Sequence, residues 1–210
     1  MKRIILTIIA LLTCSIAYPK QYQGSFFGMK SDGTTDNTAS FQKALDWIST
    51  EHPGDTITLY VGRYLIGSVN IRSNVTLWLK EGAILVAKSS PYEYDSLNGI
   101  TALLLADGVN NFHIYGQGVI EGAGEKTVTE IDKLVGKGLF PKTGNVIPSL
   151  LLLNGCKDIS VKDIIMQYPG DKAITAITCK SLHIDNVTVR NDDAAIFRNY
   201  SCEDEASVSF

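Results

Sequence analysis

Cys156-Lys157-Asp158-Ile159-Ser160-Val161-Lys162-Asp163-Ile164 is answered 23 residues later by Cys179-Lys180-Ser181-Leu182-His183-Ile184-Asp185-Asn186-Val187. Ile159 matches Leu182, Val161 matches Ile184 and Ile164 matches Val187, and Cys202 follows Cys179 at the same spacing. A repeat of this length marks a solenoid, in which each unit buries its apolar side only against its neighbours. Within each unit apolar and polar residues alternate, so the units are short strands and not helices. One coil per repeat with no helix between strands specifies a parallel β-helix. The leucine-rich solenoid requires an L-x-x-L-x-L frame that this stretch does not meet.

Working outward, Phe112 and Ile114 take the places of Ile159 and Val161, one enlarged coil or two ordinary ones earlier. Val75 to Leu79 and Gly82 to Val86 read as strands, and Ile57, Leu59 and Val61 alternate. Ser89 to Gly99, polar and bearing Pro91, reads as an excursion from the coil. Ala123 to Ile147 breaks the rhythm and reads as a loop with a helical turn near Thr129 to Val135. Phe41, Ala44, Leu45 and Ile48 fall at helical spacing, so about Asn37 to Ser49 is an amphipathic helix, capped by Asp36, Asn37 or Thr38. A solenoid needs a cover over its first coil, and this helix supplies it. The fold class is therefore all-β, a parallel β-helix with an N-terminal capping α-helix.

Met1 to Ala17 has a secretory pattern: Lys2 and Arg3, an apolar run from Ile4 to Leu12, then small residues. The run is too short to span a bilayer, and Thr13 before Cys14 fits a lipid-attachment box poorly. The expected division is residues 1–17 as a signal peptide and 18–210 as one β-helix domain, in a secreted protein, extracellular or periplasmic, with no membrane partner after cleavage. Nineteen basic and 22 acidic residues give a net charge of −3 with no basic stripe, which argues against nucleic acid. Cys156, Cys179 and Cys202 share one repeat position. Stacked rungs about 4.8 Å apart leave two readings, a column of small buried hydrophobes or a disulfide between neighbours. Their spacing does not suggest zinc. His113 and His183 sit between inward-facing residues and point outward. No metal or other cofactor is expected. Asn74-Val75-Thr76, Asn186-Val187-Thr188 and Asn199-Tyr200-Ser201 match the glycosylation pattern, although an Asn at a coil corner is the simpler reading of the first two.

Four stretches together resemble glycoside hydrolase family 28, the polygalacturonase-like branch of the pectin-lyase-type β-helices, which implies a right-handed parallel β-helix. They are Gly28 to Ala44, Gly62 to Leu85, Ile114-Tyr115-Gly116-Gln117-Gly118-Val119-Ile120-Glu121-Gly122, and the duplicated stretch from Cys156 to Val189. Ile147 stands where the family often has Arg, and no Trp follows Pro169. The resemblance implies hydrolysis of pectic polysaccharide by two carboxyl groups, one acting as acid and one activating water. The family carries one Asp in an Asn-x-Asp motif, an Asp pair a coil later, and His and Arg/Lys motifs beyond. Asn191-Asp192-Asp193 matches the first motif. By that match Asp193 is the carboxylate facing the substrate, Asp192 the neighbouring choice, and Asn191 the substrate-side residue that orients the carboxylate. An alternative match sets Asp192-Asp193 against the Asp pair. The motif continues with Ala194-Ala195-Ile196 in place of Gly-Ile-Asp.

One coil beyond Asp193 falls past residue 210, and Ser207-Val208-Ser209-Phe210 still alternates. The expectation from these features is a C-terminally incomplete β-helix with little turnover of its own and self-association through an open last coil. Two further readings stand beside the hydrolase. One is a pectate-lyase-like enzyme, which usually needs Ca²⁺ on oxygen ligands. The other is a non-catalytic β-helix that binds glycans or serves structure.

Overall fold

The computed structural model describes residues 19–140, 145–190, 197–199 and 207–208, with the side chains of 145, 146 and the last two segments left undescribed. Three parallel sheets share one axis. Sheet A runs β1 (Gln21–Gln23), β3 (Thr56–Leu59), β6 (Val75–Leu79), β10 (Asn110–Gly116), β13 (Lys157–Lys162), β16 (Lys180–Asp185) and β19 (Ser207–Val208). Sheet B runs from β2 (Asp32–Asp36) through β4 (Gly62–Ile66), β7 (Ala83–Ala87), β11 (Val119–Glu121) and β14 (Ile165–Gln167) to β17 (Thr188–Arg190). Sheet C runs from β5 (Val69–Asn70) through β9 (Ile100–Asp107), β12 (Asn145–Asn154) and β15 (Ile174–Ile177) to β18 (Phe197–Asn199). Along the repeats the chain passes A to B to C and returns to A one rung on.

The register is the one the repeat dictates. Phe112 pairs with Ile159 and Ile114 with Val161, and Ile159 and Val161 pair in turn with Leu182 and Ile184. Strand side chains alternate in direction, so these residues form inward columns. Phe112, Ile159, Val161 and Leu182 are fully buried. Full burial of each such side chain is worth about 1.5–3 kcal/mol, and every rung adds several.

The cysteine question resolves within the described residues. Cys156 and Cys179 are both buried free thiols. Their sulfurs donate to backbone carbonyls, Cys156 to Ala106 O at 3.4 Å and Cys179 to Ile177 O at 3.5 Å. A hydrogen bond to Cys179, then burial, pushes the Cys156 thiol well up, so it packs as a neutral group. Cys202 lies outside the described residues.

Corners are made by residues that tolerate the left-handed region. Asn74, Asn111, Asp158 and Ser181 enter sheet A at φ of 58°, 54°, 54° and 51°. They stack, and Asn111 Nδ2 donates to Asn74 Oδ1 at 3.0 Å. Asp163 and Asn186 do the same at the next corner, with Asn186 Nδ2 donating to Asp163 Oδ1 at 2.7 Å. Asn and Asp adopt this region with least cost among residues bearing a Cβ. Asn74 and Asn186 thus have a structural reason to be Asn that is independent of glycosylation.

Helix α1 (Thr38–Glu51) buries Phe41, Ala44, Leu45 and Ile48 in the same core as the first coils. Its start departs from a simple cap. Asp36 Oδ1 accepts from the Thr38 N–H at 2.9 Å, whereas the buried Asn37 turns away and holds Lys30 through its N–H and its carbonyl. Three expectations need correction. The alternation through Val61 stops at Leu59: Thr56 to Leu59 are all buried and Val61 is 72% exposed, on a corner. The loop expected over Ala123 to Ile147, with a helical turn near Thr129 to Val135, contains a full helix, α2 (Gly124–Gly136), in which Gly124, Thr127 and Ile131 are buried. The excursion at Ser89 to Gly99 is partly ordered: β8 (Asp95–Leu97) pairs antiparallel with the start of β9. No helix among the described residues is long and apolar enough to cross a membrane.

Candidate active site

The corner from sheet B to sheet C carries the insertions. On successive coils it holds residues 88–99, then 122–144 with α2, then 168–173, then 191–196. Gln167 pairs with Arg190 and Ile174 with Phe197. The chain between Arg190 and Phe197 therefore takes as many residues as the corner 168–173 one rung earlier. Asn191, Asp192 and Asp193 fall in that segment and lie outside the described residues. What is described is the frame on which the segment is mounted.

That frame is tightly built. The Tyr168 N–H donates to Arg190 O at 3.0 Å, and the Tyr168 carbonyl accepts from the Gly124 N–H at 3.2 Å. Gly122 and Gly124 approach this corner so closely that a Cβ on either would stand 2.2 Å from Tyr168 O or 2.3 Å from Pro169 O. On the other side, Pro148 O accepts from the Gly170 and Asp171 N–H groups at 3.1 and 3.2 Å. Ser149 and Thr175, both buried, share a hydroxyl hydrogen bond of 3.2 Å beneath. Tyr168 itself is held at φ 52°, an uncommon state for a bulky residue, and 51% of it is exposed. Sequence reasoning passed over Tyr168, Gly122 and Gly124. Tyr168-Pro169-Gly170 gave the only cue, that of a turn.

Beside the corner a groove of about 640 Å³ runs along the edge of sheet B, lined by Arg63, Lys88, Glu93, Glu121, Lys126 and Tyr168 among others. This volume lies within the range of small-ligand sites. Its charges are largely matched. Arg63 grips Glu121 through Nη2 at 2.5 Å, and Gln167 Nε2 donates to the same carboxylate at 2.8 Å. Lys88 bridges Asp36 and Glu93 at 2.7 and 2.8 Å. Burial pushes the Asp36 carboxyl up, but Lys88 and Thr38 outweigh it and hold it down at about 2. Burial pushes the Tyr94 hydroxyl, behind the groove, up to about 12. Glu121 and Glu93 are thus struts that fix the excursion and the sheet edge, and the exposed Lys126 is left to meet a ligand. Among the described residues no group of three or more His, Cys, Asp or Glu is placed to hold a metal ion. His113 faces outward as expected, with Asn111 Oδ1 2.9 Å from its Nε2; burial, opposed by the field of Asp158, pushes its imidazole down.

Residues 58–205 match the model of glycosyl hydrolases family 28, a span that includes 191–193. The chain belongs to this family. An exo-poly-α-D-galacturonosidase of Dickeya chrysanthemi is 31% identical over 144 residues, which are 60% of this chain and 23% of that protein. The chain thus spans about a quarter of the length of this curated relative. A Parabacteroides merdae protein assigned as a glycosyl hydrolase superposes with a TM-score of 0.78 at 37% identity, covering 84% of this chain and 79% of that one. The family 28 exopolygalacturonase of Yersinia enterocolitica superposes with a TM-score of 0.69 at 22% identity, covering 82% of this chain and 39% of that one, which is a likeness of fold. The family and the right-handed parallel β-helix that the resemblance implied are both upheld.

Proposed function

We propose that this family 28 chain is a secreted protein that engages pectic galacturonan and hydrolyses its glycosidic bonds at the B-to-C corner. One observation carries the reading. The family match runs unbroken through 191–193, and the strands on either side keep the coil register up to that segment. In this reading Asp193 is the carboxylate that faces the scissile bond. Asn191 orients it by hydrogen bonding, and Asp192 is the neighbouring carboxylate. Inverting glycosidases place two carboxyl groups about 6.5–9.5 Å apart, one to protonate the leaving oxygen and one to activate water. A single Asp supplies one of those two roles. The close Gly122–Tyr168–Pro148 packing one rung earlier supports this reading, because positional catalysis needs a rigid base. The secretory pattern of residues 1–17 supports export.

The test is reducing-end release from polygalacturonate by the full chain and by D193N and D192N. The expected result is measurable release that falls about 10²-fold or more in D193N, the usual scale of one acid–base group, with a smaller loss in D192N. Equal rates in the parent and D193N would remove Asp193 from its role. Polymer binding with no release in any variant would make the chain a binding protein. Release that creates an ultraviolet-absorbing double bond would make it a lyase.

A further inference from the structure

The corner from sheet A to sheet B, on a different edge of the coil from the proposed catalytic segment, carries a second set of groups suited to sugar acids. Tyr60 and Val61 form its first rung and are 45% and 72% exposed. The next rung brings Trp78 and Lys80, and the one after it Tyr115, Gly116 and Gln117. Trp78 and Tyr115 stack with ring centroids 5.2 Å apart and planes tilted by 30°. The Lys80 ammonium sits 2.8 Å from the centroid of the Trp78 ring, and among the described residues no carboxylate lies within ion-pair reach of it. Tyr60, Val61, Trp78, Lys80, Gly116 and Gln117, with Glu81 on the rim, line a depression of about 570 Å³.

The floor of this depression is preorganised. Gly116 packs so closely on the previous rung that a Cβ there would stand 1.9 Å from Leu79 O. The Gln117 N–H donates to Leu79 O at 3.0 Å, the Gly62 N–H to Gly82 O at 3.0 Å, and the Tyr64 hydroxyl to Tyr60 O at 3.1 Å. The corner is therefore tied rung to rung, while its side chains stay open to solvent. The buried columns lie on the opposite face of each strand, so the exposed side chains of Tyr60, Val61 and Gln117 are not part of the core.

We propose that this corner is a secondary attachment site for a uronic-acid polysaccharide, separate from the hydrolytic corner. The Tyr60 ring and the Val61 methyls take the apolar face of a pyranose. Lys80, whose charge is now spent on an indole ring, takes the sugar carboxylate, and the exposed Gln117 takes hydroxyls. Cation–π contacts at exposed sites are worth only about 0.5–1 kcal/mol, so a carboxylate displaces this one readily. Glu81 opposes binding and keeps it weak, as befits a site that holds polymer near the enzyme without trapping it. The choice of ligand rests on the pectic reading above, and the test is designed to separate the two.

The chain has two tryptophans, Trp47 and Trp78, so a W47F background makes Trp78 the sole indole reporter. Titration with polygalacturonate should then change Trp78 emission. Y60A/K80Q should raise the apparent Kd at least fivefold, and E81Q should lower it. K80Q alone should weaken polygalacturonate and leave neutral galactan unchanged. D192N/D193N should leave the Trp78 response intact, and Y60A/K80Q should leave reducing-end release from short oligogalacturonides intact. Should W47F melt early, retardation of the Trp47 parent and its variants in native gels containing polygalacturonate gives the same comparison. An unchanged Kd in Y60A/K80Q, or loss of the Trp78 response in D192N/D193N, overturns the site. Loss of hydrolysis with the Trp78 response retained overturns only the catalytic reading.

Discussion

Two glycines of helix α2 should answer the same substitution with opposite signs. Gly124 opens the helix and lies against the 168–173 corner. An alanine Cβ there would stand 2.3 Å from Pro169 O, 2.7 Å from Pro169 C and 2.8 Å from Gly170 Cα. All three neighbours are backbone, so no rotamer change relieves the contact. Reaching ordinary van der Waals distance requires the helix or the corner to move by about 1 Å, and overpacking of this kind costs about 1–3 kcal/mol. Gly136 closes the same helix with nothing within 4 Å of its added Cβ. Alanine there removes chain entropy from the unfolded state and gains up to about 1 kcal/mol. For a chain of this size 1 kcal/mol moves Tm by about 2–4 °C. G124A should therefore melt about 2–12 °C below the parent, and G136A level with it or up to about 4 °C above, by circular dichroism or scanning fluorimetry. The displaced corner includes Tyr168, whose N–H holds Arg190 O, so G124A should also weaken galacturonan hydrolysis while G136A leaves it alone. A G124A protein as stable as the parent would refute the claim that the corner is locked by contact across the two coils.

Other expected outcomes follow from single residues. Phe112→Ala empties a fully buried site between Val75 and Ile159 and should cost about 3–5 kcal/mol, read as a fall in the urea midpoint. Asp36 has its carboxyl lowered from 3.8 to about 2, so its contribution is present above pH 4 and is lost as pH falls through 2. With half the side chain exposed, screening keeps that contribution below about 1 kcal/mol, and the Tm gap between the parent and D36N should close across that window. In native protein, peptides bearing Cys156 and Cys179 should stay unlabelled by iodoacetamide and should label fully in denaturant, because both thiols are buried and free. Labelling of either in native buffer would contradict the packed column.

The solenoid was legible because its determinant is periodic and local. Ile159, Val161, Leu182 and Ile184 each repeat one requirement, an apolar side chain facing inward at a fixed rung, and a pattern stated twice needs no knowledge of the rest of the chain. The same logic located helix α1, where four core contacts fall on one stripe. It failed at Val61, since alternation carries no mark where a strand ends and a corner begins. At α2 it found only the helical turn near Thr129 to Val135 and missed the first turn, which opens on the buried Gly124, a residue that local propensity marks against a helix. The corner frame was harder still. Gly122 and Gly124 are dictated by carbonyls of Tyr168 and Pro169 more than forty residues away, and such distance leaves no trace in a local window. The proposed catalytic residues came from a motif, and a motif states which side chain acts without stating what holds it. The corner one rung earlier is held at Gly122 and Gly124 by close contacts to backbone carbonyls of Tyr168 and Pro169. The position of Asp193 should therefore tolerate exchange of exposed side chains such as Tyr168 while responding to any added Cβ at Gly122, Gly124 or Gly170. Full activity in Y168A beside lost activity in G170A would bear this out, and the reverse pattern would show that the exposed ring, and not the backbone frame, sets the site.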